Sequence, residues 1–288
     1  MSDHLEAAIH RYGQAKAPTE TPELLKTKLG ELQEELAKIP ESKKGQYLKA
    51  LQVCPDQCDE KFMLKHLRCE VFNVEPAAKR VIAYWEKRVG IFGDEKAFLP
   101  MTLSGALKGD ERSLEIGYAR PVFEKDDAGR AILFVDPARL PMDKTTFEPI
   151  SMARAFWYYA HAVLEDEEVQ KKGVVLVIYP KEAQRTQFNR KVFKTKIASM
   201  KGCLPMRVAA FHICHAPSFF ENLFAVAKIF LGERLRKRVK MHSGSEEGVL
   251  DKLEKKFGID RVKMPTQMGG GNDLDHMGWL EERMSSGL

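Results

Sequence analysis

The stretch Met206 to Cys214 limits most strongly what this chain can fold into. It is a mostly apolar run opened by Pro205 and followed by Pro217, a pattern that suits a strand buried on both faces of a sheet. The period then changes. Pro217 suits the first turn of a helix, and Phe220, Leu223, Phe224, Ala227 and Leu231 recur at the three-and-four spacing that gathers them on one face. Lys228, Arg234, Arg236, Lys237, Arg238 and Lys240 crowd the end of that helix, opposed only by Glu233. An apolar helix face beside a cationic patch suits a protein that meets anionic lipid and passes an oily molecule in or out.

Shorter signals organise the rest. Thr21-Pro22-Glu23 opens a helix carrying Leu24, Leu25, Leu29, Leu32 and Leu36, which Pro40 ends. A second helix spans about 44–53, Asp59 caps a third over 61–70, and a fourth runs from Asn73 towards Gly93. Beyond Gly93 strands and helices alternate. Strands are expected at 114–123, 131–136, 174–179, 208–214 and 239–242, with helices at 146–169 and 188–200. The first two strands meet across the turn Asp126-Asp127-Ala128-Gly129, and helical crossovers between the others imply a largely parallel five-stranded sheet. A flexible turn at Met268 to Asn272 leads to a short final helix.

The balance of +5 over 288 residues conceals an asymmetry: residues 181–240 hold 14 Lys or Arg against three Glu, a local +11 that leaves −6 elsewhere. Such a face implies an anionic partner, membrane or nucleic acid. Phe188 and Phe193 in the basic stretch sit five apart, too far round a helix for one stacking face, so nucleic acid is not expected. No apolar run is long enough to span a bilayer, the N-terminus has no secretory pattern, and five irregularly spaced cysteines suit a reducing compartment, so a cytoplasmic protein is expected. Catalysis finds no support in the sequence: Gly-x-Ser-x-Gly, a phosphate loop, Gly-x-Gly-x-x-Gly and paired zinc ligands are all missing, so neither catalytic residues nor metal are expected.

Segments in order across about 40–271 resemble the CRAL-TRIO lipid-binding family. Phe62-Met63-Leu64-Lys65-His66-Leu67-Arg68, Phe72-Asn73-Val74 and Ala77-Ala78 resemble its N-terminal helical signature, and Asp127-Ala128-Gly129-Arg130 its "GR plus apolar strand". His215-Ala216-Pro217 stands where the family has Asn-x-Pro before its gate helix, Lys228-Ile229-Phe230-Leu231 resembles "KPFL", and Met264-Pro265 with Gly269-Gly270 resembles "LP…GG". Departures are Tyr179 for a frequent Asp, His215 for Asn, Ile229 for Pro and Glu70 for a basic residue. A Pro-Glu-Arg pattern is missing before Arg207, which speaks against an inositol headgroup inside the pocket.

The resemblance implies a tail at 1–18, a helical region at 19–93, a lipid-binding α/β domain at 94–271 and a terminal helix at 272–288. It implies one lipid in an apolar cavity beneath a gate helix, carried between membranes by a monomer with no cofactor besides that cargo. The cargo classes in view are isoprenoid, sterol-like, carotenoid or retinoid, and phospholipid. Alternation along strands nominates Val175, Val177, Tyr179, Ala209, Phe211 and Ile213 as wall, with Ala153, Phe156, Trp157 and Ala160 on the preceding helix. Phe220, Leu223, Phe224 and Ala227 would form the lid. Arg207, Lys228, Arg234 and Arg238 fall near positions resembling the anionic-lipid contact surface of a tocopherol-carrying member. The alternatives are a membrane-recruited, phosphoinositide-sensing scaffold without cargo and a basic-patch nucleic-acid binder.

Overall fold

The computed structural model describes residues 8, 11–141 and 148–288, apart from the side chains of residues 221, 222 and 225–228. Four helices come first: α1 Pro22–Lys38, α2 Gly45–Val53, α3 Glu60–Cys69 and α4 Val74–Lys96. Local chemistry sets their starts. The Thr21 hydroxyl accepts from Leu24 N at 3.2 Å, and Asp59 accepts from Phe62 N at 2.8 Å, each satisfying an amide that the first helical turn leaves open.

A short helix α5, Glu111–Glu115, precedes the sheet, whose strands are β1 Ala119–Lys125, β2 Ala131–Val135, β3 Val174–Ile178, β4 Val208–Cys214 and β5 Val239–His242. The strands lie in chain order; β1 pairs antiparallel with β2, and all later pairings are parallel. Crossovers run through α6 Ser151–Val163 with α7 Glu167–Lys172, through α8 Arg190–Gly202, and through α9 Phe219–Arg236. The chain ends with α10 Glu246–Phe257 and α11 His276–Ser285.

Three expectations need correction. Leu114 is helical, and the turn at Ile116-Gly117 delays the first strand to Ala119. Instead of one helix reaching Val169, Asp166 caps a separate α7, its carboxylate accepting from Glu168 N at 2.8 Å; the expected start near Thr146 lies outside the described residues. Pro217 sits before α9 rather than in its first turn, its carbonyl accepting from Phe220 N at 2.8 Å.

The two sheet faces build two cores. Leu133, Val174, Leu176 and Phe211 join a core that continues through α6 into the N-terminal helices. Ile132, Phe134, Val175, Val177 and Cys214 pack on the reverse face against Val249, Leu250, Leu253 and Phe257 of α10 and against Tyr12. The arginine of the "GR" pair anchors that reverse side. Arg130 is buried, pairs with Asp126 at 2.9 Å, and donates to Gln14 Oε1 at 3.1 Å and the Ala8 carbonyl at 2.7 Å, fastening the N-terminal segment to the sheet. A buried charge is tolerated only when paired and hydrogen-bonded in this way.

Candidate functional site

The forward face of the sheet does not close on itself. Register places side chains in rows, because paired residues of neighbouring strands share a face: Val135, Ile178 and Ile213 form one row, and Leu176, Phe211 and Val239 the next. These rows floor a cavity of about 190 Å³. One water needs only about 10–15 Å³, so this is room for a guest and not a packing flaw.

Each wall follows from its own periodicity. From α6 come Met152 and Phe156, one turn apart; from α8 come Val192, Phe193, Lys196, Ile197 and Met200; from α9 come Phe219, Phe220, Leu223, Phe224 and Leu231. The loop 183–189 completes the rim with Gln184, Thr186, Gln187, Phe188 and Asn189, and Tyr118 closes one side. Polar groups are few, and most are committed to the fold. Gln187 Nε2 donates to the Ala138 and Leu140 carbonyls at 2.7 and 2.6 Å, Asn189 caps α8 through Val192 N at 3.0 Å, and the Tyr118 hydroxyl donates to the Met152 carbonyl at 2.8 Å.

The expected wall and lid residues divide accordingly. Phe156, Phe211, Ile213, Phe220, Leu223 and Phe224 line the cavity. Val175, Val177 and Tyr179 lie on the reverse face instead, where the Tyr179 hydroxyl donates to Glu246 Oε1 at 3.4 Å. All five residues of β3 are apolar, so alternation carried no information about which face each one takes. Ala209 also belongs to the reverse face, because pairing steps from Val174↔Val208 to Val175↔Ala210 and so skips it. Ala153, Trp157 and Ala160 are buried in the core but do not line the cavity; Trp157 stacks obliquely on Tyr84 at 5.2 Å and donates from Nε1 to Ser199 Oγ at 3.0 Å. The Ala227 side chain lies outside the described residues.

Two backbone features position α9. His215 has φ +55°, a left-handed conformation in which Asn, Asp and His are enriched, so one of the few tolerant side chains stands at this position. At the other end Gly232, φ +69° and ψ 169°, breaks the helix after Leu231. Ile229, a turn earlier, is 76 % exposed, a large apolar side chain left in water.

Beyond that break lies a second hollow, about 250 Å³, lined by Cys69, Arg80, Lys201, Arg207, Arg234 and Arg238 among others. Arg207 donates to the Lys171 carbonyl at 2.6 Å and to that of Ala15, and Arg238 donates to the Val208 carbonyl. Arg234 is more exposed and reaches Glu70 at 3.2 Å, a carboxylate already paired with Arg80. Burial first, then repulsion from Arg234 and Arg207, pushes Arg238 down to about 10, so it still carries its charge at neutral pH. The Lys228 side chain lies outside the described residues.

Among the described residues no cluster of His, Cys, Asp or Glu is placed to hold a metal, and no helix is long and apolar enough to cross a membrane. The cavity contributors that the sequence reading does not nominate include Tyr118, Val135, Met152, Leu176, Ile178, Val239, the loop 183–189 and the inner face of α8. For α8 the signal was present: Val192, Ile197 and Met200 recur at helical spacing amid basic residues.

Comparison with known proteins agrees with this architecture. The chain is 25% identical to clavesin-1 of Xenopus laevis over 218 residues, covering 74% of this chain and 61% of that protein. It is 26% identical to human clavesin-2 over 218 residues, covering 74% of this chain and 62% of that protein, so it spans less than two thirds of either relative. The crystal structure of Sfh5 superposes with a TM-score of 0.53 at 12% identity, covering 93% of this chain and all of that one, which supports the fold. The CRAL/TRIO domain family model matches residues 117–270, the segment from the cavity's first wall residue to the glycine pair after Met264-Pro265, and the chain belongs to that family.

Proposed function

We propose that the chain binds one hydrophobic lipid in the cavity and carries it between membranes, with α9 swinging aside as a gate where it meets an anionic surface. The family is one of lipid-binding proteins. The observation that carries the reading is the cavity itself, floored by sheet rows, walled by α6 and α8, and covered by the inner face of α9, which breaks at Gly232. An apolar guest replaces the contacts that facing walls cannot make across a gap.

The outer side of the same helix supports the membrane step. Ile229 is exposed two residues before Leu231, which lines the arginine hollow, so an apolar group and a cationic one lie close along the chain. Arg207 holds the end of α7 and the N-terminal segment, and Arg238 holds the start of β4, which leaves Arg234 as the arginine best able to turn to a lipid headgroup. In this reading the cargo is the only bound small molecule the chain needs.

The test is transfer of a fluorescent lipid between vesicles. Transfer is expected to accelerate when acceptor vesicles contain phosphatidylserine and to slow as salt is raised. Arg234→Gln should lower the anionic stimulation roughly fivefold, as expected for about 1 kcal/mol per basic residue at such a surface. Equal transfer to neutral and anionic vesicles would remove the gate-opening step, and no transfer at all would remove the carrier function.

A further inference from the structure

Helix α8 turns one cation inward. Lys196 lines the cavity with Val192 one turn before it and Met200 one turn after, so it interrupts an otherwise apolar stripe. Among the described residues it is the charged side chain of the lining, and its Nζ lies 4.4 Å from the centroid of the Tyr118 ring. Tyr118 gives it a π face but no counter-ion. Burial alone pushes the ammonium down to about 8, with no neighbouring charge opposing or adding to that effect, so at neutral pH it remains mostly charged.

An ammonium facing an apolar cavity with no carboxylate among the described residues of its lining is costly, and a position needed only for packing would be better served by Leu or Met. The rim amides of Gln187 and Asn189 do not compensate it, because they are committed to backbone groups. The missing partner is one negative charge. A phosphomonoester or an inositol polyphosphate would bring further charges that no other described residue of the lining neutralises, whereas a carboxylate balances one lysine and leaves its alkyl tail to Leu176, Phe211 and Phe156.

We propose that Lys196 is the headgroup-recognising residue of the cavity and that the cargo is a monoanionic amphiphile, a long-chain carboxylate, whose head pairs with Lys196. This deepens the carrier reading and rests on it.

Displacement of a neutral fluorescent lipid from the purified full chain by palmitate and by methyl palmitate tests the assignment. Wild type should prefer palmitate at least about tenfold at pH 7, the effect expected of a charge-assisted hydrogen bond. Lys196→Met should erase the preference while still binding the ester, and Lys196→Arg should restore part of it. The preference should shrink as pH rises through about 8 to 10, where the empty site loses its proton. Tyr118, the other titratable lining group, is pushed up by burial and stays neutral throughout.

A stability measurement separates recognition from a structural role. Lys196→Met should raise the melting temperature of unliganded protein, because the buried ammonium is a cost until a ligand arrives; a fall would assign the lysine to the fold and overturn the proposal. Equal affinity for acid and ester, or a preference that survives in Lys196→Met, would overturn it while leaving the carrier function standing. If wild type binds neither these nor the neutral probe, the carrier reading fails and this assignment falls with it.

Discussion

Leu223→Asp is expected to abolish lipid retention while leaving the protein folded. Leu223 is half-buried on the inner face of α9 and borders the cavity, so a carboxylate there would face the alkyl chain of a bound lipid. Placing a charged group against hydrocarbon without a partner costs about 3 kcal/mol or more, roughly a hundredfold in affinity. The empty protein escapes most of that cost, because the Asp can stay hydrated in an unfilled cavity. Circular dichroism and the melting temperature of delipidated protein should therefore change little. The stabilisation that added lipid gives the wild type through mass action should disappear. Unfolding of Leu223→Asp would instead mean that α9 is ordinary core, and retained lipid would mean that the cargo lies elsewhere.

The second large effect contrasts two neighbours on β3. Leu176 faces the cavity and Val177 the reverse face, so adjacent residues answer to different surroundings. Leu176→Trp should fill the cavity floor, lowering lipid affinity by about thirtyfold or more with little loss of stability, since the added ring enters space that is already there. Val177→Trp has no such space. It is fully buried against α10 and should cost about 1–3 kcal/mol in chemical denaturation, through overpacking, with cargo affinity nearly unchanged in the folded fraction. The reverse pattern would exchange the two faces of the sheet and move the site behind it.

That contrast also marks where the sequence stopped being legible. Element types came through because each had a local cause: Thr21 and Asp59 as caps, Pro205 ahead of β4, and the change of period after Pro217. The parity of β3 did not, because Val174 to Ile178 are apolar on both sides and a one-residue slip leaves no trace in such a run. On β4 the skipped Ala209 moved one expected wall residue to the back, a change decided by pairing with β3 and invisible in either strand alone. Tertiary contact also decided α6. Ala153, Phe156, Trp157 and Ala160 do share a stripe, yet Trp157 is taken by Tyr84 and Phe92 of α4, and of the four only Phe156 meets the cavity.

Helix α10 is a different case, since its signals were local and readable. Ser245 caps it through Gly248 N at 3.1 Å, Glu246 and Glu247 open it, Val249, Leu250, Leu253 and Phe257 form its buried face, and Gly258 ends it in a left-handed conformation. Finding it would have shown what covers the reverse face, and hence which side of the sheet was left to hold a ligand. Lys196 was obscured by its company: within a strongly basic stretch one lysine looks like the rest, and only the fold shows that it turns inward.

Native mass spectrometry of the chain purified from its own cells, without detergent or organic solvent, is the most direct test of the central claim. The account predicts one lipid per chain, displaced by added palmitate and missing from Leu223→Asp prepared in parallel. A wild-type chain that carries no adduct, and whose melting temperature no added lipid raises, would contradict it.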